Sequence, residues 1–240
     1  MKVLLEEATS KEFEELLKKT KTVLIPVGSV EAHGPHLPLA TDLYTIYGVC
    51  KRVGEKISVA VAPPIYYGLC RSTKNTPGTI SIKGGILKVL LLDIMHEFYR
   101  WGFRNFFILS GHAGTTHNGY LVDAGETFIE THADVKVFVA DICRLLAPFL
   151  KELNVPETDS HAGEWEASMI MYLKPNLKRE GGFEDYPKFK KFWIVREKEK
   201  YWSSGIWGNP LKATKEKGEF LVERLVDYLC KEIEKAEANE

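Results

Sequence analysis

Short apolar runs alternate with helical patterns along most of this chain, and that alternation leaves few architectures open. Strand candidates stand at residues 22–27, 57–62, 105–109 and 135–140. Amphipathic stretches lie between them: 43–53, 84–101 and a helix from the turn after residue 114 to about 130. Strands separated in this way imply βαβ units and a mostly parallel α/β sheet with helices on both faces. Further helices are predicted over 11–19 (capped by Thr9-Ser10), 144–153, from Gly163 to 173, and over 211–237. A short strand at 79–82 and an edge strand at 192–195 complete the expectation. With 240 residues, 45% of them hydrophobic, one domain over 1–240 suits the chain better than two small ones.

In such sheets ligands bind beyond the carboxyl ends of the strands, where the connecting loops open onto a crevice. Three loops there carry chemistry. The first, after strand 22–27, reads Glu31-Ala32-His33-Gly34-Pro35-His36-Leu37-Pro38-Leu39-Ala40-Thr41-Asp42. Glu31 and His33 are two apart and share a side of an extended strand end. Asp42, at a helix start, can return to the same point, and its two oxygens can bridge two cations. His36 reads equally as a ligand or as loop packing. The second loop holds His112 in Gly111-His112-Ala113-Gly114, with His117 structural or solvent-exposed behind it. The third, His161-Ala162-Gly163-Glu164-Trp165-Glu166, offers a histidine and two carboxylates, and spacing does not choose between Glu164 and Glu166. Mixed imidazole and carboxylate donors suit Zn, Mn or Fe(II).

Composition narrows the partners. The 32 basic and 33 acidic side chains are spread along the chain, for a net charge of −1. With no basic face visible, nucleic acid is not an expected partner. The apolar runs are too short to span a bilayer, and Glu6-Glu7 stand where a signal peptide would have its apolar core, so a cytoplasmic location is expected. Cys50, Cys70, Cys143 and Cys230 form no Cys-x-x-Cys pair and read as small buried hydrophobes.

The block from Gly28 to Asp42 resembles the signature of the creatininase (creatinine amidohydrolase) family. So do Pro77-Gly78-Thr79, Ser110-Gly111-His112-Ala113-Gly114, His161 through Ser168, Gly208-Asn209-Pro210 and Ala213-Thr214. The resemblance implies a three-layer α/β/α sandwich, two divalent metal ions and hydrolysis of a non-peptide C–N bond in a small-molecule amide. Carried over by position, Glu31, Asp42 and His112 would hold one metal, and His33, Asp42 and Glu166 the second. His161 would move protons.

Among the family's activities, an archaeal formamidopyrimidine-nucleotide deformylase fits best, with creatinine amidohydrolase as the alternative and a non-catalytic metal-binding scaffold as the competing class. The chain departs from creatininase at Gly114, where creatininase has a metal-binding glutamate. Arg71 and Lys74, in the long loop over the site, are candidates to receive a substrate phosphate or carboxylate. Gly114 and Trp165 are further candidates for substrate contact. The family also implies a closed homo-oligomer, a hexamer. Tyr66, Tyr67, Trp202, Ile206 and Trp207, in loop-like stretches, are expected at its interfaces.

Overall fold

The computed structural model describes residues 3–190 and 193–238. Four parallel strands, β1 (Thr22–Val27), β2 (Ala60–Val61), β3 (Asn105–Ser110) and β4 (Lys136–Asp141), form a sheet in the order β2-β1-β3-β4. Seven α-helices accompany them among the described residues: α1 (Ser10–Leu17), α2 (Thr41–Lys56), α3 (Gly84–Arg100), α4 (Thr115–Thr131), α5 (Ile142–Glu152), α6 (Glu164–Leu173) and α7 (Lys215–Glu237). β1 and β3 are buried along their whole length, which is why they read as continuous apolar runs.

Side-chain alternation along the strands builds two cores. Val23, Ile25, Val27, Phe106 and Ile108 face one way and pack with α1, α3 and α4. Leu24, Phe107 and Leu109 face the other way and pack with α2, α5, α6 and α7. The result is the three-layer α/β/α sandwich expected. Val27 pairs with Ser110, and Ser110 with Asp141, so three strands end at one level. The loops after β1 and β3 therefore open at the same edge.

Several elements differ from expectation. The 57–62 run yields only Ala60–Val61 as strand, because α2 runs to Lys56 with Ile57 as its C-cap at one end and Pro63-Pro64 interrupt the ladder at the other. Pro26 sits in the middle of the sheet without breaking it. Its carbonyl accepts from Ile65, and Gly28 donates to the Ile65 carbonyl, so its missing N–H falls where β2 has already stopped. Residues 79–82 form no strand, since no neighbouring strand is there to pair with. Instead Ile80 donates to Val30 (2.9 Å) and Ile82 to Gly68 (3.0 Å), tying the loop across the sheet's end. Trp193–Val195 is not a strand either, and Phe192 lies outside the described residues. α7 starts four residues later than expected, capped by Thr214; Thr9 and Glu12 form a reciprocal capping box on α1. No helix among the described residues is long and apolar enough to cross a membrane.

Candidate metal centre

The loop from β1 to α2 brings Glu31, His33 and Asp42 together, all buried. Gly111, just past β3, lets this happen. A Cβ there would lie 1.9 Å from the Asp42 carbonyl, so only glycine allows β3 to end against the start of α2. His112 then enters from the β3 side. Its Nδ1 is 2.6 Å from Glu31 Oε1 and 3.0 Å from Asp42 Oδ2, while His33 Nε2 is 3.0 Å from Asp42 Oδ1. Asp42 thus touches one imidazole with each oxygen. Ser29 Oγ donates to Asp42 Oδ2 (2.6 Å) and fixes the carboxylate.

Backbone carbonyls set the tautomers. His33 Nδ1 donates to the Glu31 carbonyl (3.0 Å), and His112 Nε2 donates to the Leu69 carbonyl (3.2 Å). A carbonyl only accepts, so each ring spends one N–H on backbone and turns its other nitrogen toward carboxylates. Two lone-pair nitrogens facing carboxylate oxygens require a cation between them. Without metal that cation is a proton. Burial alone would lower both histidines, but Asp42 and Glu166 push His33 up to about 10, and Glu31 and Asp42 carry His112 well above its ordinary value. Burial pushes Glu166 up to about 8, against the pull of His33. Three protons therefore stand at neutral pH where a divalent cation's ligands would have none, and metal uptake must displace them.

Glu166, in the first turn of α6, lies 3.8 Å from His33 Nε2, and its carboxylate also accepts from the Ala162 N–H. Glu164 points elsewhere: Lys217 of α7 holds its carboxylate at 2.5 Å. Of the two competing glutamates, the structure brings Glu166 to the group and leaves Glu164 outside. Among the described residues, three triplets have ligand atoms within 4.8 Å of one another: His33-Asp42-Glu166, Glu31-Cys70-His112 and Glu31-His33-His161. The donor set is that of a transition-metal site.

His161 is half-buried, its ring stacked on His33 (centroids 4.1 Å) and met edge-on by Trp202 (5.2 Å). Its Nε2 donates to the Ala32 carbonyl at 2.9 Å, which leaves Nδ1 as its proton-accepting nitrogen. Burial and the charged His33 bring it down to about 4, so it is neutral at pH 7. The next residue, Ala162, has φ of 50°, a left-handed conformation costing a non-glycine about 1–3 kcal/mol and typical of functional sites. Asp159, which the sequence analysis passed over, holds this strained turn. It accepts from the backbone N–H of Glu164 (2.9 Å) and Asn209 (3.0 Å), binding the third loop to the Gly208-Asn209-Pro210 block.

Other placements depart from expectation. Cys70 is buried, as expected of a small hydrophobe, but it stands beside Glu31 and His112, with burial and Glu31 pushing its thiol up. A sulfur donor there favours Zn or Fe(II) over Mn. Thr73, three residues on, donates to Glu31. Of the two readings of His117, structural or solvent-exposed, the structure bears out the first: the side chain is buried. It accepts from the Leu69 N–H (3.1 Å) and contacts Ser110, so Leu69 is clamped between His117 and His112. His36 is fully buried, its ring nitrogens without a hydrogen bond among the described residues while its carbonyl accepts from Arg179; it packs near Gly34 and Gly182 and is not in the donor group. Trp165 packs in the core with α5 and α7 instead of at the site. Gly114 does abut it: a Cβ there would strike His112 Nε2 at 2.5 Å. Trp202 and Ile206, expected at a subunit interface, are buried within the chain, Trp202 against His161.

The sequence model described as creatinine amidohydrolase matches residues 6–233. The chain belongs to the creatininase family. Creatinine amidohydrolase of Pseudomonas putida is 28% identical to it over 95% of both chains. The mycofactocin precursor peptide peptidase of Mycolicibacterium smegmatis is 32% identical over 64% of this chain, and the match spans 58% of that relative's length. A crystal structure of creatininase superposes with a TM-score of 0.89 at 25% identity, covering 98% of both chains. A manganese form of creatininase gives the same score over 99% of both. The creatininase family comprises hydrolases acting on C–N bonds.

Proposed function

We propose that this chain is a dinuclear metal-dependent amidohydrolase that cleaves a non-peptide C–N bond, and that its substrate is a formamide of the formamidopyrimidine-nucleotide type. One observation carries the reading. Two imidazoles, each with one N–H tied to backbone, meet the two oxygens of a single buried carboxylate, with Glu31 and Glu166 alongside. Glu31, Asp42 and His112 would hold one ion, and His33, Asp42 and Glu166 the other, with Asp42 as the bridge. When bound, the ions would lower the pKa of a water and polarise the amide carbonyl. His161, neutral at working pH, takes the proton of the attacking water and passes it to the leaving nitrogen. A backbone N–H of the 111–114 turn, Ala113 or Gly114, would steady the tetrahedral oxyanion.

Creatinine amidohydrolase is the second reading, favoured by the near full-length likeness to the Pseudomonas putida enzyme. Gly114 counts against it, since no glutamate can act from that position. Incubating the metal-loaded protein with a formamidopyrimidine ribotide and with creatinine separates the two. Formate from the ribotide alone is expected. Creatine would favour the second reading, and neither product from fully loaded protein would leave a non-catalytic metal binder.

We further propose that the active form is a closed homo-oligomer, a hexamer. Tyr66 and Tyr67 remain about half exposed, and the outer face of α3 presents Ile86, Val89 and Leu90 to solvent. An apolar stripe of this kind marks an interaction surface, and closed symmetry is its usual resolution. Light scattering should give a mass several times 27.2 kDa. A fully active species at the monomer mass would refute the assembly.

A further inference from the structure

Although its charges are evenly spread in sequence, the fold gathers five cations into one cleft. Arg71, Lys74, Lys83, Arg196 and Lys198 line an opening of about 1080 Å³ that no acidic side chain among the described residues lines. That is just above the roughly 300–1,000 Å³ of small-molecule sites. The cations come from three separate segments, and none has an acidic partner among the described residues. The two neighbouring acids are engaged elsewhere, Glu197 with Lys200 and Glu199 with Asn75. Burial and the facing Arg71 lower Lys198, the mark of like charges packed without a counter-anion.

Lys83 adds an independent sign. It is the N-cap residue of α3 and makes no side-chain capping bond. A cation there opposes the helix dipole, so the position gains nothing from stability. The same helix start, Gly84-Gly85, lines the cleft, and a Cβ on Gly85 would meet nothing within 4 Å. First-turn amides, a favourable dipole and cations around an open space form an anion cradle. The cleft also shares a wall with the metal centre. Leu69 lines it and takes the His112 Nε2–H on its carbonyl, and Thr73, between Arg71 and Lys74, donates to Glu31.

We infer that this cleft receives the phosphate-bearing end of the substrate, so that the chain acts on a phosphorylated small molecule whose amide reaches the Glu31–His33–Asp42–His112–Glu166 group. The amide end of the inference rests on the amidohydrolase reading above; the anion end stands on the cleft alone. Arg71 and Lys74, on the loop that touches Glu31, hold the phosphate nearest the reacting bond. Lys83, Arg196 and Lys198 close the outer side. A concave site that shares Leu69 with the buried donor group suits a small anion, not a polymer laid across a surface.

Calorimetric titration with glycerol phosphate, and with glycerol as the uncharged control, tests the anion end on the metal-loaded protein. Wild type should bind glycerol phosphate but not glycerol, and more weakly as salt is raised. Lys83→Glu with Arg196→Glu should weaken binding about tenfold or more. The fold should survive, because an acid at a helix N-terminus is favourable; an unchanged or raised Tm verifies this. Asp42→Ala should keep glycerol phosphate binding. Equal binding of glycerol and its phosphate would overturn the inference. So would loss of binding in Asp42→Ala with retention in the double variant, since the anion would then sit on the metals. Formate release from a formamidopyrimidine ribotide by the metal-loaded wild type reports separately on the amidohydrolase reading. If that fails while phosphate binding and its loss in the double variant hold, the hydrolase is wrong and the cleft stands.

Discussion

Asp42→Ala is expected to remove most of both metal ions and to reduce hydrolysis to the level of the metal-free protein. Asp42 is the only carboxylate in the group that contacts both ring nitrogens, at 3.0 Å on each side. Burial would favour its neutral form, yet His33 and His112 hold it well below the usual carboxylate range. Its negative charge is therefore built into the fold. Deleting it takes a donor from both proposed sites at once, whereas any other single deletion takes one from a single site. Asp42→Asn keeps the volume and the Ser29 contact, so it separates loss of charge from loss of packing. Elemental analysis of the two variants checks the prediction, and Glu166→Gln beside Glu164→Gln sharpens it. The first should lose about one ion per chain, while the second, which loosens only the Lys217 pair, should lose none. Retention of both ions in Asp42→Ala would remove the bridge.

His161→Ala is expected to keep both ions and the fold while lowering kcat about 10²–10⁴-fold, the usual worth of a positioned proton-transfer group. The ring touches His33 by stacking and Ala32 by a hydrogen bond, and neither contact requires a metal. Its low pKa also gives the sign of the pH dependence. A neutral imidazole accepts a proton first, so the rate should fall once acid protonates it. Loss of the imidazole should remove that limb of the profile. The close triplet with Glu31 and His33 supplies the contrary outcome: a folded variant that loses an ion makes His161 a ligand.

Much of this was legible in the sequence because the fold is built from strong periodic signals. β1 and β3 are apolar throughout, and the helices between them follow amphipathic spacing. The ligand candidates followed from a topological rule: loops beyond parallel strand ends meet, so residues 31–42, 110–117 and 160–166 belonged together. What escaped was tertiary. Cys70 and Thr73 reach Glu31 from a loop with no periodic pattern, and only Ile80 and Ile82, bonded across the sheet's end, show why that loop lies there. Asp159 looks like any polar loop residue until Gly163 and Gly208 close on it. Trp202 reads as an exposed aromatic because nothing in its neighbourhood predicts that His161 needs a wall. The cations of the cleft were individually ordinary, and their sum appears only when three distant segments are brought to one opening.

The central claim is that the Glu31–His33–Asp42–His112–Glu166 group exists to hold two divalent ions. The most direct measurement is the metal content of the wild-type protein, by elemental analysis after loading with Zn, Mn or Fe(II) and removal of loosely bound ion, with proton release followed during loading. Close to two ions per chain, taken up with net release of protons from His33, His112 and Glu166, is the expected result. No tightly bound ion, or uptake that releases no proton, would contradict it.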